Sequence, residues 1–166
     1  MSELNQLYIE MIEYYRGDPQ QVQHFAKVHS YAKLIGEWEG LDTETLKTLE
    51  AAAIVHDIGI KAAREKFGKS NGRLQEQEGP PLARKMLEAL DFDRKVTDRV
   101  CYLVAHHHTY TQAAGIDYRI LLEADFLVNL YEEAADKATI SSAYEQIFRT
   151  DTGRMLCREM FQIEKR

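Results

Sequence analysis

Apolar positions recur along most of the chain at intervals of three and four residues, the spacing of one face of a helix. Leu4, Leu7, Tyr8, Met11, Ile12 and Tyr15 predict an opening helix over residues 2–16, ended by Gly17. Asp18-Pro19 reads as an N-cap followed by proline at the first helical position, and that helix runs to about Trp38, with Gly40 beyond it. Asp42 caps a third helix with Leu46, Leu49 and Ala53 on one flank, and Gly59 stops it. Residues 60–73 read as a loop. Pro80-Pro81 then suit the start of a helix over about 81–90, with Leu82, Met86, Leu87 and Leu90 as its buried stripe. Val96, Val100, Leu103 and Val104 mark the next helix, whose stripe continues into His107 and which closes on His106-His107-His108. A very apolar helix covers 119–131, and two more cover about 137–149 and 152–163. No strand pattern, repeat or low-complexity segment appears, so the expected fold class is all-α.

Composition narrows the function classes. The 166 residues suit one domain with a sizeable core, at 45% hydrophobic and 29% charged residues. A net charge of −6 argues against general nucleic-acid binding. No apolar run is long enough for a membrane span and no charged-then-apolar leader opens the chain, so a cytoplasmic protein is expected. Cys101 and Cys157 have no paired spacing and read as buried free thiols of a reducing compartment.

Four polar residues stand where the pattern calls for apolar ones. His56 and Asp57 follow the run Ala51-Ala52-Ala53-Ile54-Val55 directly. His24 shares a helix side with Val28, Ala32 and Ile35, whereas His29 lies well off that stripe. Asp125 sits between Leu121 and Leu122 on one side and Val128 on the other. Buried charges are costly unless paired, and a helix-interior Asp is rare without a partner. Two imidazoles and two carboxylates together suit a catalytic divalent metal with positions open for water and substrate. The predicted ligands are therefore His24, His56, Asp57 and Asp125. Without the metal, Asp57 and Asp125 would be like charges held close, so Asp57→Asn is expected to leave the metal-free protein unchanged or more stable.

The segment after the His-Asp pair reverses the charge of the chain. Lys61, Arg64, Lys66, Lys69 and Arg73 face one acid, Glu65, and Gly68 to Gly72 form a flexible turn. Lys61, Arg64, Lys69 and Arg73 are the candidates for holding phosphate oxygens, with Lys69 or Arg73 favoured. The spacing is not that of a nucleotide-binding Gly-rich loop.

In the order His … His-Asp … Asp, and in the texture His24-x-x-x-Val28-x-x-x-Ala32, Ala52-Ala53-Ile54-Val55-His56-Asp57-Ile58-Gly59 and Glu123-Ala124-Asp125, the chain resembles the HD-domain superfamily of metal-dependent phosphohydrolases. The resemblance covers about residues 18–130. It implies a helical bundle of about seven helices around a metal, here one HD domain over residues 1–166 with the C-terminal helices packed on that core. Similar proteins often place further histidines near a second metal. One would fall around Gln75-Glu76, where this chain has no His, and the other corresponds best to His106, with His107 as its neighbour. Many relatives carry Lys directly after His-Asp-Ile-Gly, whereas here Ile60 intervenes before Lys61.

The expected activity is hydrolysis of a small phosphate ester, a nucleotide being one candidate, with a divalent ion of Mn, Fe, Mg, Ni, Co or Zn. Asp57, Glu76 and His106 are the expected catalytic residues, Glu76 or His106 moving the proton. The expected partner is the small phosphorylated substrate, with no membrane and no general nucleic-acid binding, and a homodimer is allowed. Two alternatives are a non-catalytic sensor or scaffold that binds metal and nucleotide, and a di-iron oxygenase of the HD type.

Overall fold

A computed structural model describes residues 1–164. Among them the chain forms nine helices and no strand: α1 (Glu3–Tyr14), α2 (Pro19–Trp38), α3 (Thr43–Val55), α4 (Gly59–Phe67), α5 (Gly72–Ala89), α6 (Arg94–His106), α7 (Ile116–Glu132), α8 (Lys137–Gln146) and α9 (Asp151–Phe161). The predicted caps are in place. Asp18 Oδ1 accepts from the Gln21 N–H at 3.1 Å, with Pro19 at the first helical position, and Asp42 Oδ1 accepts from the Thr45 N–H at 2.8 Å. Such a cap stabilises a helix by about 1 kcal/mol and fixes where it begins.

Helix α3 is the axis of the bundle. Every residue from Thr48 to Val55 is buried, because α1, α2, α6 and α7 all pack against it. Ala51, Ala52 and Ala53 keep its girth small, so the surrounding helices approach closely enough to enclose its end. A helix covered on all sides shows no one-sided stripe, which is why its sequence reads as a continuous apolar run.

Two expectations about the middle of the chain are corrected. Residues 60–73 are mostly helical: Gly59 opens α4 instead of stopping α3, and His56 to Ile58 form the turn between the two. The prolines do not start a helix, for α5 begins at Gly72, capped by Asn71 Oδ1 on the Leu74 N–H at 2.9 Å, and carries Pro80 and Pro81 inside it. An interior proline costs a helix about 3 kcal/mol in isolation. Here packing compensates. Gly59 and Gly79 let α4 and α5 cross almost backbone to backbone: a Cβ on Gly59 would lie 2.7 Å from Gly79 N and 2.8 Å from Gln75 O. The crossing brings the first half of α5, including Gln75, beside the His56-Asp57 turn.

The C-terminal helices pack on the core through Ile140, Tyr144, Phe148 and Cys157 and are also held by a buried carboxylate. Glu123 on α7 is fully buried, and Oε1 accepts the backbone N–H groups of Arg149 and Thr150 at 2.7 and 2.8 Å. Oε2 accepts from Thr150 Oγ1 at 2.8 Å, and that hydroxyl caps α9 through the Gly153 N–H at 2.9 Å.

Candidate metal centre

His24 comes from the first half of α2, His56 and Asp57 from the turn after α3, and Asp125 from the middle of α7. All four are buried. His24 Nε2 lies 3.2 Å from His56 Nε2, 3.1 Å from Asp57 Oδ2 and 3.3 Å from Asp125 Oδ1, and His56 Nε2 lies 3.3 Å from each of the same two oxygens. Donor atoms sharing a tetrahedral shell with bonds of about 2.0–2.2 Å stand roughly 3.3–3.6 Å apart, and about 3.0 Å in an octahedral one. The observed separations have that scale. His29 is elsewhere, its Nε2 3.1 Å from Glu50 Oε1.

The outer nitrogens settle what the inner ones present. His24 Nδ1 donates to Glu132 Oε1 at 3.1 Å, and His56 Nδ1 donates to the Ala53 carbonyl at 2.8 Å. Neutral rings so tethered turn two Nε2 lone pairs toward each other at 3.2 Å, an arrangement that only a cation relieves. Asp125 Oδ1 is buried and receives no well-directed hydrogen bond, although both imidazoles are near it. The cluster therefore fits a divalent metal.

Protons fill the same role when no metal is bound. Burial lowers the pKa of His24, but Asp125 and Asp57 outweigh it and raise it to about 9. His56 is likewise raised against the effect of burial, chiefly by Asp57. Burial would raise Asp57, yet His56, His107 and His24 hold its carboxyl well below the usual range, and Asp125 is lowered by His24 and His56.

The second oxygen of Asp57 faces a different histidine. His107 Nε2 lies 3.0 Å from Asp57 Oδ1, while His107 Nδ1 donates to the Val104 carbonyl at 2.8 Å. Asp57, His107 and His108 form a second group of donors able to hold an ion, so Asp57 stands between two such groups. The turn carrying them is clamped: Glu76 Oε1 accepts from the His108 N–H at 2.9 Å and from Thr109 Oγ1 at 3.0 Å, and the Tyr118 hydroxyl donates to the carbonyls of His106 and Thr109.

The two residues expected to carry protons, Glu76 and His106, make other contacts. His106 stacks on Tyr102 with ring centroids 4.2 Å apart and bonds the Tyr102 carbonyl through Nδ1, so it is not the histidine that reaches the cluster. The apolar stripe Val100–Val104 already pointed inward to His107. Glu76 is occupied with the turn and is outside both donor groups. Gln75 is the member of its pair that lines the cleft, its Oε1 2.6 Å from His108 Nε2 and its Nε2 donating to Ser70 Oγ at 3.1 Å.

A cleft of about 310 Å³ opens over the cluster, with His24, Asp57 and Asp125 on its floor and Arg64, Gln75 and His108 on its walls. Of the four basic candidates for phosphate, Arg64 alone lines it. Lys61 instead donates to the Tyr14 carbonyl at 3.1 Å and lies over the Tyr14 ring, because α4 turns that side chain toward α1. Lys69 and Arg73 are exposed beside the α4–α5 turn and away from the cleft lining. Glu132, which orients His24, was missed. It lies at the polar end of α7, where sequence offers no sign to separate it from Glu133.

An all-helical bundle here closes on two buried imidazoles and two buried carboxylates, a set of donors that could hold a metal ion. The sequence profile of the HD domain family matches residues 22–147, and the chain belongs to that family. Its fold is similar to the crystal structure of a predicted HD superfamily hydrolase from an uncultured Thermotogales bacterium, at a TM-score of 0.69 and 22% identity, over 95% of this chain and 84% of that one. It is also similar to YpgQ of Bacillus subtilis, at a TM-score of 0.67 and 17% identity, over 96% of this chain and 87% of that one. At these identities the likeness concerns the fold. No curated protein matches the sequence. No helix among the described residues is long and apolar enough to cross a membrane.

Proposed function

We propose that the protein is a metal-dependent phosphohydrolase of a small phosphate ester, with His24, His56, Asp57 and Asp125 as the metal ligands. The observation that carries this reading is the convergence of those four donors beneath a cleft that His24, Asp57 and Asp125 line together with Arg64. A divalent ion bound there would lower the pKa of a water and offset phosphoryl charge. Glu132 and the Ala53 carbonyl keep the two imidazoles turned inward. Arg64 binds phosphate oxygens, as a planar donor suited to them.

His108 is the proton acceptor in this scheme. Burial and then His107 lower its pKa, so the ring is neutral near pH 7. Its Nε2–H is donated to Gln75 Oε1 at 2.6 Å, so Nδ1, which lies 3.5 Å from the Tyr110 hydroxyl, is the nitrogen that takes the proton of a water. The test is metal analysis of the protein as isolated, followed by a phosphate-release screen against nucleotides and sugar phosphates. Stoichiometric metal with phosphate release lost in Asp125→Ala supports the reading. Metal bound with no release from any ester would assign the chain to sensing instead.

A further inference from the structure

Helix α4 begins without a cap of its own. Ile58 stands at the N-cap position and has no side-chain oxygen for the unpaired N–H groups of the first turn. The missing acceptor comes from another helix. The hydroxyl of Tyr15, at the C-terminal end of α1, accepts the backbone N–H of Lys61 at 3.3 Å. Lys61 is the third residue of α4, one of the two positions that an N-cap side chain ordinarily serves. The Tyr15 O–H is itself donated to the Asp57 carbonyl at 3.0 Å, with the Ile58 carbonyl at 3.3 Å. Tyr15, His56, Asp57 and Ile58 are all buried, where a backbone group left without a partner is costly.

The same contacts reach the donor groups. Holding the main chain of Asp57 limits where its carboxylate points, and that carboxylate faces His24 and His56 through Oδ2 and His107 through Oδ1. The rings are linked as well: Tyr15 lies 5.4 Å from Phe25 between centroids, and Phe25 lies 5.3 Å from His56. Lys61 ties the helix end in return, its Nζ donating to the Tyr14 carbonyl at 3.1 Å. We propose that Tyr15 is a positioning residue of the metal centre, its hydroxyl capping α4 from outside and holding the backbone of Asp57. Helix α1 precedes residues 22–147, which the family profile matches, and by this contact it becomes part of the site. The inference rests on the reading of His24, His56, Asp57 and Asp125 as metal ligands.

The test compares the full chain with Tyr15→Phe, which keeps the ring and removes the hydroxyl. Manganese affinity is measured by titration calorimetry at a temperature where melting curves show both proteins folded. Tyr15→Phe is expected to weaken manganese binding by about tenfold and to change the electron paramagnetic resonance spectrum of the bound ion. In the metal-free variant, hydrogen exchange of peptides containing Lys61 is expected to be about threefold or more faster, with α8 and α9 unchanged. A lower melting temperature with affinity within about twofold of wild type and an unchanged spectrum would make Tyr15 a packing residue and overturn the proposal. The wild type supplies a second measurement if the variant does not fold. Coupling is reciprocal, so manganese must slow exchange at Lys61, and equal rates with and without the ion would also overturn the proposal. Wild-type protein that binds neither manganese nor zinc would overturn the metal assignment itself, and this inference with it.

Discussion

His24 Nδ1 and Glu132 Oε1 lie 3.1 Å apart, and this contact selects the nitrogen that His24 turns to the cluster. With Nδ1–H donated outward, Nε2 is the atom left facing His56, Asp57 and Asp125. Glu132 lies on the same helix as Asp125, so α7 supplies a proposed ligand and the group that orients another. Glu132→Ala is expected to weaken metal binding by about ten- to a hundredfold, the usual effect of losing the partner of a ligating histidine. Titration calorimetry with manganese checks this, and an affinity within about twofold of wild type would leave Glu132 without an orienting role.

Asp57 receives three imidazoles, and this reverses the sign expected from its closeness to Asp125. Without metal, His24, His56 and His107 surround a carboxylate that is not left facing another carboxylate alone. Asp57→Asn is therefore expected to destabilise the metal-free protein, by about 1–3 kcal/mol, the cost of a lost charge-assisted contact. It should also remove most of the rise in melting temperature that added divalent ion produces. Melting curves with and without ion separate the two effects.

Metal binding should release protons. His24 has its pKa raised to about 9, so the metal-free protein holds that ring protonated at pH 7, and an ion must displace the proton. Apparent affinity should therefore climb with pH and level off above about 9, by up to about tenfold per pH unit for one proton. The stability of the metal-free protein runs the other way. The contribution of a group raised above its unfolded value is complete below about 6.5 and is lost as pH rises through the folded value. Calorimetry in two buffers of different ionisation enthalpy counts the protons, and a count of zero at pH 7 would contradict the assignment.

The three consecutive histidines should behave unequally. His106→Ala loses a stack on Tyr102, and activity should stay within about threefold. His107→Ala and His108→Ala alter groups at Asp57 and in the cleft, and each should lower kcat/KM by about ten- to a hundredfold. Phosphate release by the three variants under one set of conditions decides the ranking.

Glu123 ties the C-terminal helices to α7 through a contact with no spare room beside Gly153. A Cβ at Gly153 would stand 2.7 Å from Glu123 Oε2, so Gly153→Ala must displace a buried carboxylate or the start of α9. A loss of about 1–3 kcal/mol is expected from such overpacking. Thermal melting measures it, and an unchanged melting temperature would show that α9 yields freely.

The clustering of His24, His56, Asp57 and Asp125 was legible because each breaks an apolar pattern, and burial without a partner is improbable for an imidazole or a carboxylate. The direction of Lys61 was not legible. Basic residues after the His-Asp pair signal a charge reversal, but their direction depends on whether the segment is loop or helix. Pro80-Pro81 obscured that choice, since local propensity places them at a helix start and only the Gly59–Gly79 crossing explains their place inside α5. Glu132 left no trace for the opposite reason. Polar residues near helix ends are ordinary, and their roles arise from what faces them across the cleft.

The Gly59–Gly79 crossing divides the middle of the chain by its tolerance of length. Between Phe67 and Gly72 the backbone runs through an exposed turn, where added residues would bulge into water and shift nothing buried. From Gln75 to Gly79 the chain is pinned against the turn that carries His56 and Asp57, with no room even for a methyl group. One residue inserted there would rotate Gln75 about 100° around α5 and withdraw its amide from His108. Loop grafts and affinity tags therefore belong at Lys69-Ser70, whereas the segment from Gln75 to Gly79 acts as a ruler between the cleft wall and its floor.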